Sequence, residues 1–137
     1  MIDNDEVKRS IGDKDLIDKL ISWIEGRNSK AVKTDLIDVV EISEEDIIGY
    51  IFVDNSFDDL VEIEGDLTIP FSAYATIGRA LAYLTTYDIS EIYVVATSPE
   101  LIRVIGDAIR YLLLPVGLIG VKGDKFVLYQ EPLAGEW

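Results

Sequence analysis

The 137-residue chain contains neither cysteine nor histidine. That excludes disulfides, a thiol nucleophile, an imidazole base and the usual zinc ligand sets. Chemistry is left to carboxylates, lysines, hydroxyls or a hard metal ion. No run approaches the roughly eighteen consecutive apolar residues that a membrane helix needs. The longest, YLLLPVGLIGV from Tyr111, is interrupted by Pro115 and two glycines, and reads as a helix end, a turn and a strand. The opening MIDNDEVKRS is charged and lacks the apolar stretch of a secretory signal, so a cytoplasmic address and no membrane partner are expected. No repeat, low-complexity tract or Pro/Gly/Ser-rich linker divides the chain. One domain over 1–137 is expected, with residues 1–12 loosely ordered.

Basic residues are missing from one stretch, and this shapes the net charge of −14. Residues 1–33 hold seven basic and seven acidic side chains, residues 34–78 hold twelve acids and no Lys or Arg, and residues 79–137 hold five basic and seven acidic. Such a segment repels nucleic acid at long range and concentrates cations. It reads either as a solvated acidic face or as a divalent-metal site, and composition alone favours the solvated face.

Periodicity then outlines the elements. Asp13 is placed to cap a helix in which Leu16, Ile17, Leu20, Ile21 and Ile24 recur at helical spacing, with Gly26 as its stop. AVKTDLIDVVEI from Ala31 fits both helix and strand periods, and a strand over 36–42 is the preferred reading. IIGYIFV, the turn-forming DNS from Asp54 and LVEIE from Leu60 predict a β-hairpin. Its second strand would set Leu60, Glu62 and Glu64 on one face. Pro70 closes that element and Ser72 opens a helix on which Arg79 and Tyr83, four apart, share a face. EIYVVAT from Glu91 reads as an interior strand. Ser98, Pro99 and Glu100 then start a helix running to about Leu113, and two strands around Gly123 and Asp124 end the pattern. The expectation is an α/β fold with a central mixed sheet, in the order α-β-β-β-α-β-α-β-β.

With His and Cys absent, the arrangement richest in chemistry is Asp46 at the start of one hairpin strand and Glu62-Ile63-Glu64 on the next. Carboxylates brought together across adjacent strands raise one another's pKa unless a cation neutralises them, and Mg²⁺ or Mn²⁺ favours such oxygen ligands. A metal so held acidifies a bound water and stabilises charge on a phosphoryl oxygen. The bland alternatives are a solvated edge strand for Glu62 and Glu64, a packed surface pair for Arg79 and Tyr83, turn roles for Asp58, Asp59 and Asp66, and core or core-edge places for Tyr50, Tyr74, Tyr87 and Tyr93.

These segments together resemble the PD-(D/E)XK nuclease superfamily, whose restriction-endonuclease-like fold is a three-layer α/β/α core. EDIIGY (45–50) resembles the first motif, with Asp46 as metal ligand. VEIEGD (61–66) resembles the second, with Glu62 as ligand and the Ile63 carbonyl as backbone ligand. IGRALAYL from Ile77 resembles the helix that carries Q-x-x-x-Y in RecB-like members, with Arg79 in place of Gln and Tyr83 as the Tyr. The resemblance covers about residues 36–129. It implies a Mg²⁺- or Mn²⁺-dependent DNA endonuclease with Asp46, Glu62 and Glu64 catalytic and Arg79, Tyr83 and Lys33 toward substrate. It also implies a homodimer whose two sites address both strands.

Two positions depart from the family pattern. Glu45 stands for the Pro and Glu64 for the Lys that positions the attacking water. Some superfamily members carry Glu there and remain active. Lys33, Arg79, Lys122 or Lys125 would have to supply the charge, and Lys8, Arg9, Arg27, Lys30 and Lys33 would have to meet the DNA backbone. Against this stands the acidic surround, which suits a catalytically inactive nuclease-like scaffold serving as a protein-interaction or structural subunit, or a DNA-mimicking protein.

Overall fold

The apolar run at 91–96 lacks polar alternation because both faces of this part of the sheet are covered. The computed structural model describes residues 16–27, 29–35, 37–42, 46–53, 60–64, 67–123 and 125–132, and for 60–64 and 67–72 the backbone alone. In chain order these form α1 (16–25), β1 (Lys30–Lys33), β2 (Val39–Ile42), β3 (Ile47–Phe52), β4 (Leu60–Glu64) and β5 (Leu67–Pro70). There follow α2 (Phe71–Thr86), β6 (Glu91–Ala96), α3 (Pro99–Leu112), β7 (Gly117–Lys122) and β8 (Lys125–Gln130).

Six strands make one mixed sheet in the order β1-β2-β3-β6-β7-β8, while β4 and β5 pair separately. Strands β3, β6 and β7 run parallel, and the remaining pairings are antiparallel. The α/β class with a central mixed sheet is therefore as expected. Odd and even strand positions feed opposite faces. Leu20 and Ile24 of α1 pack on Val39, Tyr50, Val95 and Ile119. Ala73, Ile77 and Ala80 of α2 and Leu101, Ile105 and Ile109 of α3 pack with Ile51, Ile92, Val94 and Leu118. No described helix is long and apolar enough to cross a membrane.

The helix over 99–112 starts where the sequence says it should. Ser98 accepts a hydrogen bond from the Leu101 amide (3.2 Å), Pro99 occupies the first turn, and Leu113 ends the helix in the left-handed region at φ 52°. Close packing shapes β7: a methyl at Gly117 would run into the Tyr93 ring, and one at Gly120 into Tyr129 and Ile102.

Two expectations are corrected. AVKTDLIDVVEI is two antiparallel strands rather than one, because a tight turn interrupts it. The Ile37 amide donates to Thr34 Oγ1 (3.0 Å), and the Thr34 hydroxyl in turn donates to the Ile37 carbonyl. Asp38 Oδ2 then accepts from the Phe52 amide (2.8 Å), tying this turn to the end of β3. More consequentially, IIGYIFV and LVEIE do not form a hairpin. β3 has buried residues on both its faces, Tyr50 toward α1 and Ile51 toward α2 and α3, and its two edges are taken by β2 and β6. No edge is left for β4, which pairs with β5 instead. The proposed Asp13 cap, the first twelve residues, the turn at 54–56, and Asp58, Asp59 and Asp66 lie outside the described residues.

Candidate functional site

Asp46 directly precedes β3, at the rim where the parallel strands begin. Its Oδ1 accepts from Ser90 Oγ (3.2 Å) and the Ser90 amide donates to the Ile47 carbonyl (2.8 Å), which ties the start of β3 to the approach to β6. The chain leaves β3 at the opposite rim, about 20 Å further along the strand. β5 runs directly into α2, and α2 returns along the sheet to the rim of Asp46 before β6 begins. Leu60 meets Pro70 at the base of the β4–β5 hairpin, directly before α2.

Within the hairpin the register runs Glu62 to Thr68 and then Glu64 to Leu67, leaving Ile63 as a bulge. The strict two-residue period that would set Glu62 and Glu64 on one face does not hold across a bulge. The side chains of Glu62, Ile63 and Glu64 lie outside the described residues. Among the described residues no three carboxylates are gathered as a metal-holding group.

Lys33 ends β1 in register with Val39, which faces Tyr50, so it lies up the sheet from Asp46. Its ammonium is 2.7 Å from Asp18 Oδ1 on α1. Arg79 and Tyr83 do share a face: Arg79 Nη2 donates to the Tyr83 hydroxyl (3.5 Å) and the guanidinium stands 5.7 Å from the ring centroid. Tyr83 in turn tilts against Tyr87 at 5.9 Å. Lys122 lies over the Tyr129 ring, 5.8 Å from its centroid. Of the four tyrosines read as core or core-edge, Tyr50 is buried and Tyr93 half-buried, whereas Tyr74 and Tyr87 are exposed.

The polar cluster that sequence reasoning missed lies under α1. Tyr50 Oη donates to Glu41 Oε1 at 2.6 Å, and both residues are buried. The Tyr50 and Tyr93 rings stack at 5.3 Å with an 11° interplanar angle, and Tyr93 Oη donates to Glu91 Oε2 (3.4 Å). Gly117 leaves the room in which the Tyr93 ring sits. Burial, reinforced by the hydrogen bond to Glu41 and its charge, pushes the Tyr50 hydroxyl far above the usual tyrosine range. Burial, with the charges of Glu91 and Glu131 and the bond to Glu91, pushes Tyr93 up to about 12. Arg27, whose guanidinium lies over Trp23 at 4.9 Å, opposes both shifts. Both hydroxyls stay protonated at neutral pH, so they serve as hydrogen-bond donors and not as nucleophiles or bases. The only local hint was an acid inside an apolar strand: Glu41 in VVEI.

Compared with protein-family models, with curated proteins and with solved structures, the chain matches none.

Proposed function

We propose that the chain is a restriction-endonuclease-like α/β scaffold that works as a protein-interaction or structural subunit and does not cleave phosphodiester bonds. The likeness rests on element order: an antiparallel β1–β2–β3 meander, then α2, then β6 parallel beside β3. The observation that carries the functional reading is that the two motifs are not on paired strands. Asp46 directly precedes β3, whose two edges pair with β2 and β6, and the Glu62-Ile63-Glu64 segment is in a strand that pairs with β5. The acidic stretch at 34–78 adds to this, since its field opposes the approach of a polyanion.

The test is incubation of the full chain with supercoiled and single-stranded DNA in Mg²⁺ or Mn²⁺, beside Asp46→Ala and Glu62→Ala. The scaffold reading expects no cleavage, or the same trace cleavage from all three proteins. Metal-dependent nicking by the wild type that both substitutions abolish would replace it with the nuclease reading, with Asp46, Glu62 and Glu64 at a Mg²⁺ or Mn²⁺ ion and DNA as substrate.

A further inference from the structure

Helix α3 buries Leu101, Ile105, Ala108 and Ile109 against the sheet and turns an ordered row of charges outward. Glu100, Arg103, Asp107 and Arg110 are all exposed, and their spacing of three, four and three residues aligns them in one stripe. Beyond the stripe come the most exposed large apolar residues of the described chain: Tyr111 at 86%, Leu112 at 66% and Leu113 at 66%. Surface apolar residues usually occur singly, so three in succession at a helix end call for a partner.

The order of charges selects that partner. Read along the helix the stripe is acid, base, acid, base; read backwards it is base, acid, base, acid. We propose that α3 is a self-association surface, against which a second copy of this chain packs its own α3 antiparallel about a two-fold axis near position 105. In that register Glu100 meets Arg110 of the second copy, Arg103 meets Asp107, and Tyr111 covers the exposed Pro99 at the start of the opposing helix. A two-fold contact repeats each pairing, giving four ion pairs flanked by two apolar ends. Parallel packing would set like charge on like. The Arg110–Asp107 pair within one helix (2.6 Å) leaves both side chains about half exposed, so each has an open side for the second copy. Charge over the rest of the chain favours the same surface. Residues 34–78 hold twelve acids without a base, whereas α3 holds two acids and two bases, so two copies of net charge −14 meet there with less repulsion than across the acidic stretch.

A 14-residue helix presents about 21 Å of contact, which places the dimer at the weak end of specific association. This inference is independent of whether the chain is catalytic.

Sedimentation equilibrium of the full chain, over two decades of concentration reaching about 300 µM, is the test. The expected result is a reversible rise from 15.3 kDa toward twice that mass. Arg103→Glu and Asp107→Lys, each shown by circular dichroism to keep the fold, should each weaken the dimer roughly tenfold or more, because two attractive contacts become repulsive. A one-to-one mixture of these variants should associate as tightly as wild type, since Glu at 103 then faces Lys at 107 and Asp107 faces Arg103. A loss of intrahelical pairing could not produce that rescue. A chain that stays monomeric throughout, a dimer indifferent to both substitutions, or a mixture that does not recover would each overturn the proposal.

Discussion

Tyr50→Phe isolates the buried pair under α1, because it removes one oxygen and little else. Tyr50 is 2% exposed and Glu41 9%, so the carboxylate cannot recover its lost donor freely from water. The bond is short, at 2.6 Å, and charge-assisted, and bonds of that kind contribute about 1.5–3 kcal/mol once the orphaned partner is included. The expected loss is therefore about 2 kcal/mol, a sizeable part of the roughly 5–15 kcal/mol that holds a domain together. Replacing both partners with apolar residues, Glu41→Leu with Tyr50→Phe, leaves no buried polar atom without a partner. The double variant should lose less than the sum of the two single variants. Urea unfolding followed by tryptophan fluorescence measures all three, with an unchanged m-value showing that the same surface is exposed. A Tyr50→Phe cost below about 0.5 kcal/mol, or strict additivity in the double variant, would show that the pair is exposed to water and does not pin β2 to β3.

The same cluster makes the protein alkali-sensitive. Unfolded tyrosine loses its proton near pH 10 while folded Tyr93 keeps its own to about 12 and Tyr50 is shifted the same way, so the folded state binds more protons in that window. Stability should be whole below about pH 10 and fall as pH rises toward 12; urea midpoints should show this, with a shallower fall in Tyr50→Phe. Gly117→Ala should cost about 1–3 kcal/mol because its methyl collides with the Tyr93 ring and Pro132, and a melting curve matching wild type would contradict that packing. Ser98→Ala should cost about 1 kcal/mol by removing the cap on the Leu101 amide, with Ser98→Asp retaining most of it in thermal denaturation.

Elements whose signals lie in consecutive residues were the most legible, and the pairing of distant strands was the least. The Ser98-Pro99-Glu100 start of α3 and the apolar run of β6 after Glu91 carry their structure in consecutive residues. The place of β3 does not. Its partner β6 begins some forty residues later, and nothing in the neighbouring residues announces that pairing. The clue was in composition: IIGYIFV has no polar alternation, so it needed two neighbours and two covered faces, whereas the alternating acids of LVEIE suit a strand outside the main sheet. Thr34 and Asp38 similarly held the signal for a turn inside AVKTDLIDVVEI, masked by apolar residues on either side. The expected grouping of Asp46 with Glu62 and Glu64 rested on that hairpin pairing, which β3 does not make. The shared face of Arg79 and Tyr83 needed only helical periodicity, and it stands. Glu41 and Tyr50 were invisible as a pair because they lie nine positions apart; only the β2–β3 register makes them neighbours.

The absence of cysteine permits a direct measurement of the central separation. Asp46→Cys with Glu62→Cys introduces two unique thiols for spin labels, and double electron–electron resonance then reads the distance between the start of β3 and β4. The scaffold account predicts a separation of about 15 Å or more, several residues of strand length. Labels held within about 10 Å of each other would place the two acids on neighbouring strands, restore a shared metal site and contradict the scaffold account.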